Sequence, residues 1–291
     1  MSKFLRKSII WTIVFLVLMT IIAELSLYLL RSSHFYKPSF VAQLEQKDFD
    51  YVVLGSSTGL TTIDTQLLDS LSGYEGVNLS MDDTALPTHY LMLQHFYNTG
   101  HTTKKVVLSI TPWDLAEDTP EIGNNDYRFI PYINREYVHG HLDELTSELW
   151  NPLTASRFFP FVGLSYYNTE LLPPSLISIV APEKRNRFDE KGNYSYPKSI
   201  YKPKDGEPQV YDLQFNNPFL GKLEQFCSEK GIELILYQSP IYNGSYKEQI
   251  KGDHLINHIS LLDSTEYFYD RIHVNQKGRK LVTSNLANRL F

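Results

Sequence analysis

The strongest constraint on this chain is an almost unbroken apolar run near its N-terminus, from Ile9 to Leu30. At about 1.5 Å per residue, a helix of this length can cross the hydrocarbon core of a bilayer. Basic residues precede the run and Glu24 lies near its far end, which favours a cytoplasmic N-terminus. Residues 1–31 are therefore predicted to be a signal anchor, and the chain from about Ser32 is expected to be extracytoplasmic and to fold without it.

A cleaved signal peptide is the alternative interpretation of this run. Its apolar core would be shorter and would end in small residues, and the segment Ala23–Ser26 is a poor match to such a site. No cysteine stands at the end of the run, which excludes a lipoprotein. The single cysteine, Cys227, also excludes an intrachain disulfide, and its place in a predicted amphipathic helix indicates a buried structural thiol.

Short apolar runs alternate with helical patterns over much of the remaining chain, and this alternation predicts an α/β fold. The predicted strands are Tyr51–Leu54, Gly76–Ser80, Lys105–Pro112, Ile232–Tyr237 and His258–Leu262. Amphipathic segments separate them, and a last helix is predicted over Gln276–Leu290. Strands and helices that alternate at these spacings indicate a parallel sheet with right-handed crossovers.

The predicted domain boundaries follow from this pattern. Residues 32–47 are predicted to be a short polar connector that can include one helix, and residues 48–291 the globular domain. Within that domain the pattern fails at about 115–214, a stretch rich in Tyr, Phe, Pro and Asn with helical spacing only around Leu142–Trp150 and Leu164–Ile179. We expect an insertion over the carboxyl edge of the sheet, whose aromatic residues either form a local core or stack on sugar rings.

The first predicted strand runs into the sequence Gly-Ser-Ser-Thr-Gly at residues 55–59. Ligands of open parallel sheets bind beyond the carboxyl ends of the strands, so a serine in this turn faces the substrate side. Ser57 is the candidate nucleophile, and Ser56 lies beside it. Taken alone, a Gly-Ser-Ser sequence after a strand also fits an ordinary turn.

A second candidate feature lies between the fifth predicted strand and the last helix. Asp270 and His273 are three residues apart there. A carboxylate at this spacing can hold one imidazole nitrogen while the other faces outward, which is how a serine nucleophile is activated. A surface histidine beside a helix-capping aspartate is the structural alternative. The net charge of −6 and the absence of a basic stripe argue against nucleic acid as a partner.

These two features together resemble the SGNH (GDSL-type) hydrolase superfamily, from about Phe49 to the C-terminus apart from the insertion. Gly55-Ser56-Ser57 resembles its Gly-Asp-Ser block, and Asp270-Arg-Ile-His273 resembles its final Asp-x-x-His block. The resemblance implies a three-layer α/β/α sandwich with a five-stranded parallel sheet. It also implies a catalytic triad of Ser57, His273 and Asp270 that needs no cofactor or metal.

The resemblance also suggests where an oxyanion hole would lie. The Ser57 N–H would be one donor. Asp83 stands where the second block has glycine, and Trp113 or Thr111 falls near the asparagine of the third block. Both middle blocks depart from the family pattern.

The N-terminal anchor and the Gly-Ser-Ser block are similar to one branch of the superfamily, whose members act with membrane-bound O-acyltransferases on cell-surface polymers. For this chain the resemblance implies an esterase or O-acyltransferase that acts on an acylated glycan or another acyl ester. One alternative is an inactive SGNH-fold protein that binds glycan or assists assembly. Another is a lipase-like or thioesterase-like hydrolase of soluble substrates.

Overall fold

The computed structural model describes residues 3–115, 121–146, 150–181, 188–203, 208–247 and 255–291. Its α-helices are α1 (Lys3–Arg31), α2 (Lys37–Ala42), α3 (Ser57–Thr62), α4 (Thr65–Ser72), α5 (Leu86–Asn98), α6 (Pro112–Leu115), α7 (Glu136–Leu145), α8 (Pro152–Ala155), α9 (Pro160–Tyr166), α10 (Asn168–Val180), α11 (Pro218–Glu229) and α12 (Gln276–Leu290). Short 3-10 helices span Asp126–Tyr132 and Thr265–Tyr267.

The strands form one main sheet and one small sheet. They are β1 (Asp48–Gly55), β2 (Gly76–Asn78), β3 (Thr102–Ile110), β4 (Gln209–Tyr211), β5 (Glu233–Gln238), β6 (Gly244–Tyr246) and β7 (Leu255–Asn257). The main sheet has the order β2-β1-β3-β5-β7 and all its pairs are parallel. The prediction of an α/β fold with a five-stranded parallel sheet is therefore confirmed. The parallel pair of β4 with β6 was not predicted.

The last strand of the main sheet lies earlier than the sequence predicts. The prediction was His258–Leu262, whereas β7 ends at Asn257, whose side chain accepts a hydrogen bond from the Ile259 N–H at 3.0 Å. This local turn stops the strand. Ile259 and Leu262 are buried all the same, so the apolar pattern marks core packing after the strand rather than the strand itself.

Helices cover the buried central strands. Tyr51 and Val53 of β1 share a core cluster with Leu68 of α4 and Leu286 of α12. Val52, which points to the opposite face of the strand, is also fully buried. Helix α5 packs against β1 and α11, and α11 packs against β5. A strand buried on both faces reads as a continuous apolar run, which is why these strands could be found in the sequence.

The chain divides into two compact units, and their boundaries differ from the predicted domain boundaries. One unit contains Met1–Gln43 and Asp126–Asn186, and the other contains Leu44–Asn125 and Arg187–Phe291. The segment predicted as a polar connector includes α2, where Phe40 and Val41 are buried. The middle of the predicted insertion thus forms a unit with the N-terminal segment. Within the predicted helical stretches, residues 147–149 lie outside the described ranges.

Helix α1 is long and apolar enough, at 29 residues, to cross a membrane. Most of it is exposed, but one face of its last turns is buried: Ala23, Leu27 and Leu30 are at most 2 % exposed. They lie where α1 packs against α9 and α10. The Arg31 Nε donates a hydrogen bond of 2.6 Å to the Pro131 carbonyl oxygen. Folding of the chain from Ser32 alone does not fit this packing, because removal of α1 would uncover the apolar surface that Leu27 and Leu30 now cover.

Substitutions in α1 test whether its end belongs to the folded unit. Leu27→Ala should lower the free energy of unfolding by about 2–5 kcal/mol, because it leaves a cavity in a packed core. Leu25→Ala, at a position 60 % exposed on the same helix, is the matched control and should change it by about 0.5 kcal/mol or less. Unfolding of the full chain in detergent micelles measures both. Equal effects of the two substitutions would contradict the packing.

Candidate active site

Two glycines shape the turn that follows β1. Gly55 has a φ of 155°, and a Cβ at this position would lie 2.8 Å from the Ser109 carbonyl oxygen. A Cβ on Gly59 would lie 2.6 Å from the Ser80 Oγ. Because both positions are crowded, this turn requires glycine at each end. Between them, Ser57 begins α3 and so lies just beyond the carboxyl end of β1.

The structure brings Ser57, His273 and Asp270 into one hydrogen-bonded chain. The His273 Nε2 lies 2.8 Å from the Ser57 Oγ, and the His273 Nδ1 lies 2.8 Å from the Asp270 Oδ2. With the proton assigned to Nδ1, the imidazole donates to the carboxylate and accepts from the serine hydroxyl. This is the arrangement in which a histidine can take the proton of a serine nucleophile.

Asp270 is held as a carboxylate by its surroundings. Partial burial tends to raise the pKa of its carboxyl, but the hydrogen bond and charge of His273 lower it. The N–H groups of Ile272 and His273 also donate to the Asp270 Oδ1, each at 2.9 Å. The stabilising contacts prevail, and the pKa of Asp270 lies below its usual value. Asp270 can thus orient the imidazole without taking up its proton.

The loop that carries His273 is fixed by the residue that begins α12. The Asn275 Oδ1 accepts hydrogen bonds from the N–H groups of Lys277 and Gly278, which caps the helix. Its Nδ2 donates to the carbonyl oxygens of Ser199 and Glu266 at 2.6 and 2.8 Å. The side chain of Asn275, two residues after His273, therefore ties the start of α12 to a loop at Ser199 and to the 3-10 helix at Glu266.

Ser56 has a different environment from Ser57. Its Oγ lies 3.3 Å from the Thr58 Oγ1, which lies 3.5 Å from the Ser109 Oγ. That hydroxyl lies 3.2 Å from the Ser239 Oγ, so Ser56 is the first of a row of hydroxyls at the ends of the strands. The geometry therefore distinguishes the two adjacent serines, and only the hydroxyl of Ser57 meets His273.

Asp83 has the backbone conformation that a glycine favours. Its φ is 54°, in the left-handed region, which aspartate enters more readily than most residues. The Asn125 Nδ2 holds the loop by donating to the Asp82 carbonyl oxygen at 2.7 Å. The Thr84 hydroxyl donates to the Met81 carbonyl oxygen at 2.5 Å. Asp83 thus adopts a left-handed turn although it is not a glycine.

The three residues suggested for an oxyanion hole, Ser57, Asp83 and Trp113, all line one cavity of about 390 Å³. Trp113 is 48 % exposed there. Asn124 also lines this cavity, and no sequence pattern pointed to it, because it falls in the stretch without periodicity. An amide in this position offers a further hydrogen-bond donor.

A second carboxyl group in the cavity belongs to Asp114. Its Oδ2 accepts hydrogen bonds from the Thr111 N–H at 3.0 Å and from the Thr111 hydroxyl at 2.5 Å. Burial raises the pKa of Asp114 to about 6, against the opposite effect of these two hydrogen bonds. The Asn217 Nδ2 donates to its carbonyl oxygen at 2.9 Å. With carboxyl groups at Asp83 and Asp114, the cavity suits a neutral or cationic group better than an anion.

An aromatic residue of the predicted insertion, Tyr196, flanks the imidazole. The ring of Tyr196 lies 5.2 Å from the ring of His273 and is stacked on Tyr269 at 4.2 Å. The sequence did not single out Tyr196, because one tyrosine among 20 carries no positional signal. The Tyr196 ring limits the directions in which the imidazole can turn. Tyr269 remains partly exposed beside His273.

Comparison with models of known protein families finds no match for this chain. Comparison with curated protein sequences finds none either. Among the residues that the structure describes, no three His, Cys, Asp or Glu side chains lie together as a metal site. Cys227 is buried, as predicted, and burial and the nearby Glu224 raise the pKa of its thiol to about 11.

His89 supplies a pH-dependent test of the loop that carries Asp83. Its Nε2 lies 3.3 Å from the Thr84 Oγ1, and burial lowers the pKa of the imidazole from 6.5 to about 3. At a pH between these two pKa values, the imidazole of His89 is protonated in the unfolded chain and neutral in the folded chain. The contribution of His89 to the free energy of unfolding should therefore fall as the pH falls through this range, by ~1.4 kcal/mol per pH unit.

Unfolding of the full chain at several pH values of about 4–6 measures this contribution. This range lies between the pKa values of His89 in the unfolded and the folded chain. His89→Gln, which keeps a side-chain donor but does not titrate, should make the slope smaller by about 1 kcal/mol per pH unit or more. The slope is the informative quantity, since the substitution can also change stability at every pH. An unchanged slope would show that the folded protein accepts a proton at His89.

Proposed function

We propose that this chain is a membrane-anchored serine esterase or O-acyltransferase of the SGNH type. The single observation that carries the proposal is the hydrogen-bonded chain from Ser57 through His273 to Asp270, with both hydrogen bonds at 2.8 Å. Ser57 and His273 are 216 positions apart and are held by different elements. A contact of this kind follows from the fold as a whole rather than from a local turn.

The sheet supports the family part of the proposal. Counted in chain order, the strands of the main sheet have the order 2-1-3-4-5, and Ser57 follows the first of them. We propose that α5 and α11 form one covering layer and that α4 and α12 form the other. The full burial of Val52 and Val53, which point to opposite faces of β1, supports this three-layer arrangement.

The geometry suits a two-step acyl transfer. His273 would take the proton of Ser57 as the Ser57 Oγ attacks the carbonyl carbon of an acyl ester. On collapse of the tetrahedral intermediate, His273 would pass that proton to the departing alcohol and leave an acyl-serine. Water or an acceptor hydroxyl would then give its proton to His273 and attack the acyl carbonyl, and His273 would return this proton to the Ser57 Oγ as it leaves. Backbone N–H groups at Ser57 and Asp83, with the Trp113 indole, would stabilise the oxyanion.

The proposed substrate is an O-acylated cell-surface glycan or a related polymer. The cavity combines an exposed indole, Trp113, with carboxyl groups at Asp83 and Asp114, and Tyr269 lies partly exposed beside His273. Exposed aromatic faces and hydrogen-bonding carboxyl groups are groups that can bind a neutral sugar. Helix α1 supports membrane attachment, with the N-terminus cytoplasmic and the rest extracytoplasmic. A membrane-bound O-acyltransferase is the proposed partner.

Kinetics on a small acyl ester test the proposed triad. Ser57→Ala and His273→Ala should each lower kcat by a factor on the order of 10³ or more, because each removes an essential part of one proton-transfer unit. The double substitution should be little worse than either single one. Asp270→Asn should also be severe, because the amide can reverse the preferred tautomer of His273. Ser56→Ala is the matched control and should be much milder.

The outcome distinguishes the alternatives. If Ser56→Ala abolishes activity and Ser57→Ala does not, the assignment of the nucleophile is wrong by one residue. If no substitution changes a measurable rate, catalysis by this site is excluded and a glycan-binding or assembly role takes its place.

Competition between water and a carbohydrate acceptor tests transfer against hydrolysis. The aromatic residues around His273 can limit the access of water to an acyl-serine, which favours transfer to a bound hydroxyl. With an added glycan acceptor, acylated glycan should therefore form faster than free acid, as measured by mass spectrometry. Equal release of free acid with and without the acceptor would indicate a plain esterase.

A further inference from the structure

The unit that contains the end of α1 exposes large apolar side chains. Phe158 is 72 % exposed and Val180 is 86 % exposed. We define an apolar rim by the members of this set on α9, on α10 and in the turn before α9, namely Phe158, Phe159, Tyr166, Leu176, Ile177, Ile179 and Val180. Isolated exposed apolar residues are common, but a concentration of them marks an interaction surface.

The sequence of the rim contains no charge over two long stretches. Residues 158–166 read FFPFVGLSY and residues 171–180 read LLPPSLISIV. Leu171 is fully buried, whereas the following turns of α10 present apolar side chains outward. An exposed helix in water usually carries polar residues on its outer face. The second half of α10 therefore has the composition of a segment that meets an apolar environment.

The rim is joined to the last turns of α1. The Ser33 Oγ, two residues after α1, lies 2.8 Å from the Ser178 Oγ of α10. Leu29 and Ile179 line the same cavity of about 440 Å³. Both α9 and α10 pack against α1, whose inward-facing residues there include Leu27 and Leu30. The exposed apolar surface of α1 thus continues directly into that of α10.

The length of α1 fixes the depth at which this junction lies. A helix of 29 residues is about 43 Å long, whereas the hydrocarbon core of a bilayer is about 30 Å thick. If the basic residues up to Lys7 stay at one surface, about 20 further residues cross the core and reach Leu27. The turns of α1 that contact α9 and α10 therefore coincide with the far boundary of the membrane.

We propose that the apolar rim is a membrane-contact surface, which lies in the outer interfacial region of the bilayer beside α1. This proposal rests on the membrane-spanning role of α1 and adds a second, monotopic contact to it. Tyrosine, here Tyr166, is enriched at that depth. Phenylalanines such as Phe158 and Phe159 occur on the apolar face of segments that lie in the interface. Arg157, whose guanidinium lies 5.4 Å from the Phe158 ring centre, can place its charge among lipid headgroups. The contact would hold this unit against the membrane surface.

Single-cysteine labelling of the full chain tests the proposal. In a Cys227→Ala background, cysteines replace Phe158 and Ile179 one at a time, and each is labelled with an environment-sensitive fluorophore. The proteins are placed in lipid nanodiscs that contain nitroxide lipids spin-labelled near the headgroup. Val14→Cys, within α1, serves as the reference for the span, and Glu136→Cys, at an exposed charged position of the same unit, serves as the aqueous control.

Labels at 158 and 179 should be quenched by the nitroxide lipids at least twofold more than the label at 136, and should be shielded from iodide in water. Thermal unfolding by circular dichroism selects variants that retain the parent fold. Quenching no stronger than at 136 would overturn the proposal, whether iodide then reaches the labels or a protein surface shields them. If the label at 14 is shielded from iodide in that case, the anchor stands and only the rim fails. If iodide reaches the label at 14, the anchor itself is wrong.

Discussion

The parallel pairing of β1 with β2 on one side and β3 on the other is the constraint on which the site depends. Parallel strands end at the same edge of a sheet, so the residues that follow β1 and β3 are brought together. Gly55 and Gly59 allow the turn after β1 to lie close against Ser109 of β3. Any side chain at these glycines would push that turn, and Ser57 with it, away from the sheet. The hydrogen bond between Ser57 and His273 is therefore a consequence of strand order and of two missing Cβ atoms.

Much of this arrangement could be predicted from the sequence, because its signals are local and strong. Buried parallel strands such as β1 and β3 are continuous apolar runs, and α12 was predicted with the bounds that the structure shows. Asp270 and His273 are three residues apart in a loop, so their contact needs little more than a turn. The contact with Ser57 could be expected only once the strand order was assumed, since no local pattern links residues 216 positions apart.

Other features had no sequence signal that could reveal them. Asn125 and Tyr196 support the site from a stretch without periodicity, where composition does not specify which side chain turns inward. The end of β7 depends on one side-chain hydrogen bond of Asn257, and an apolar pattern continues past it. The last turns of α1 look like the rest of an apolar span, yet Leu27 and Leu30 are part of a folded unit. For Asn125, Tyr196 and the end of α1, tertiary contacts decide the structure, whereas β7 is ended by a local turn.

Activation of Ser57 by His273 can be measured without knowledge of the natural substrate. The full chain is labelled with a fluorophosphonate probe, and the adduct is located by peptide mapping with mass spectrometry. We expect one adduct per chain, on Ser57, and little or none when His273 is replaced by alanine. If the wild-type chain remains unlabelled while a known serine esterase in the same sample reacts fully, or if the adduct is on Ser56, then Ser57 is not the activated nucleophile.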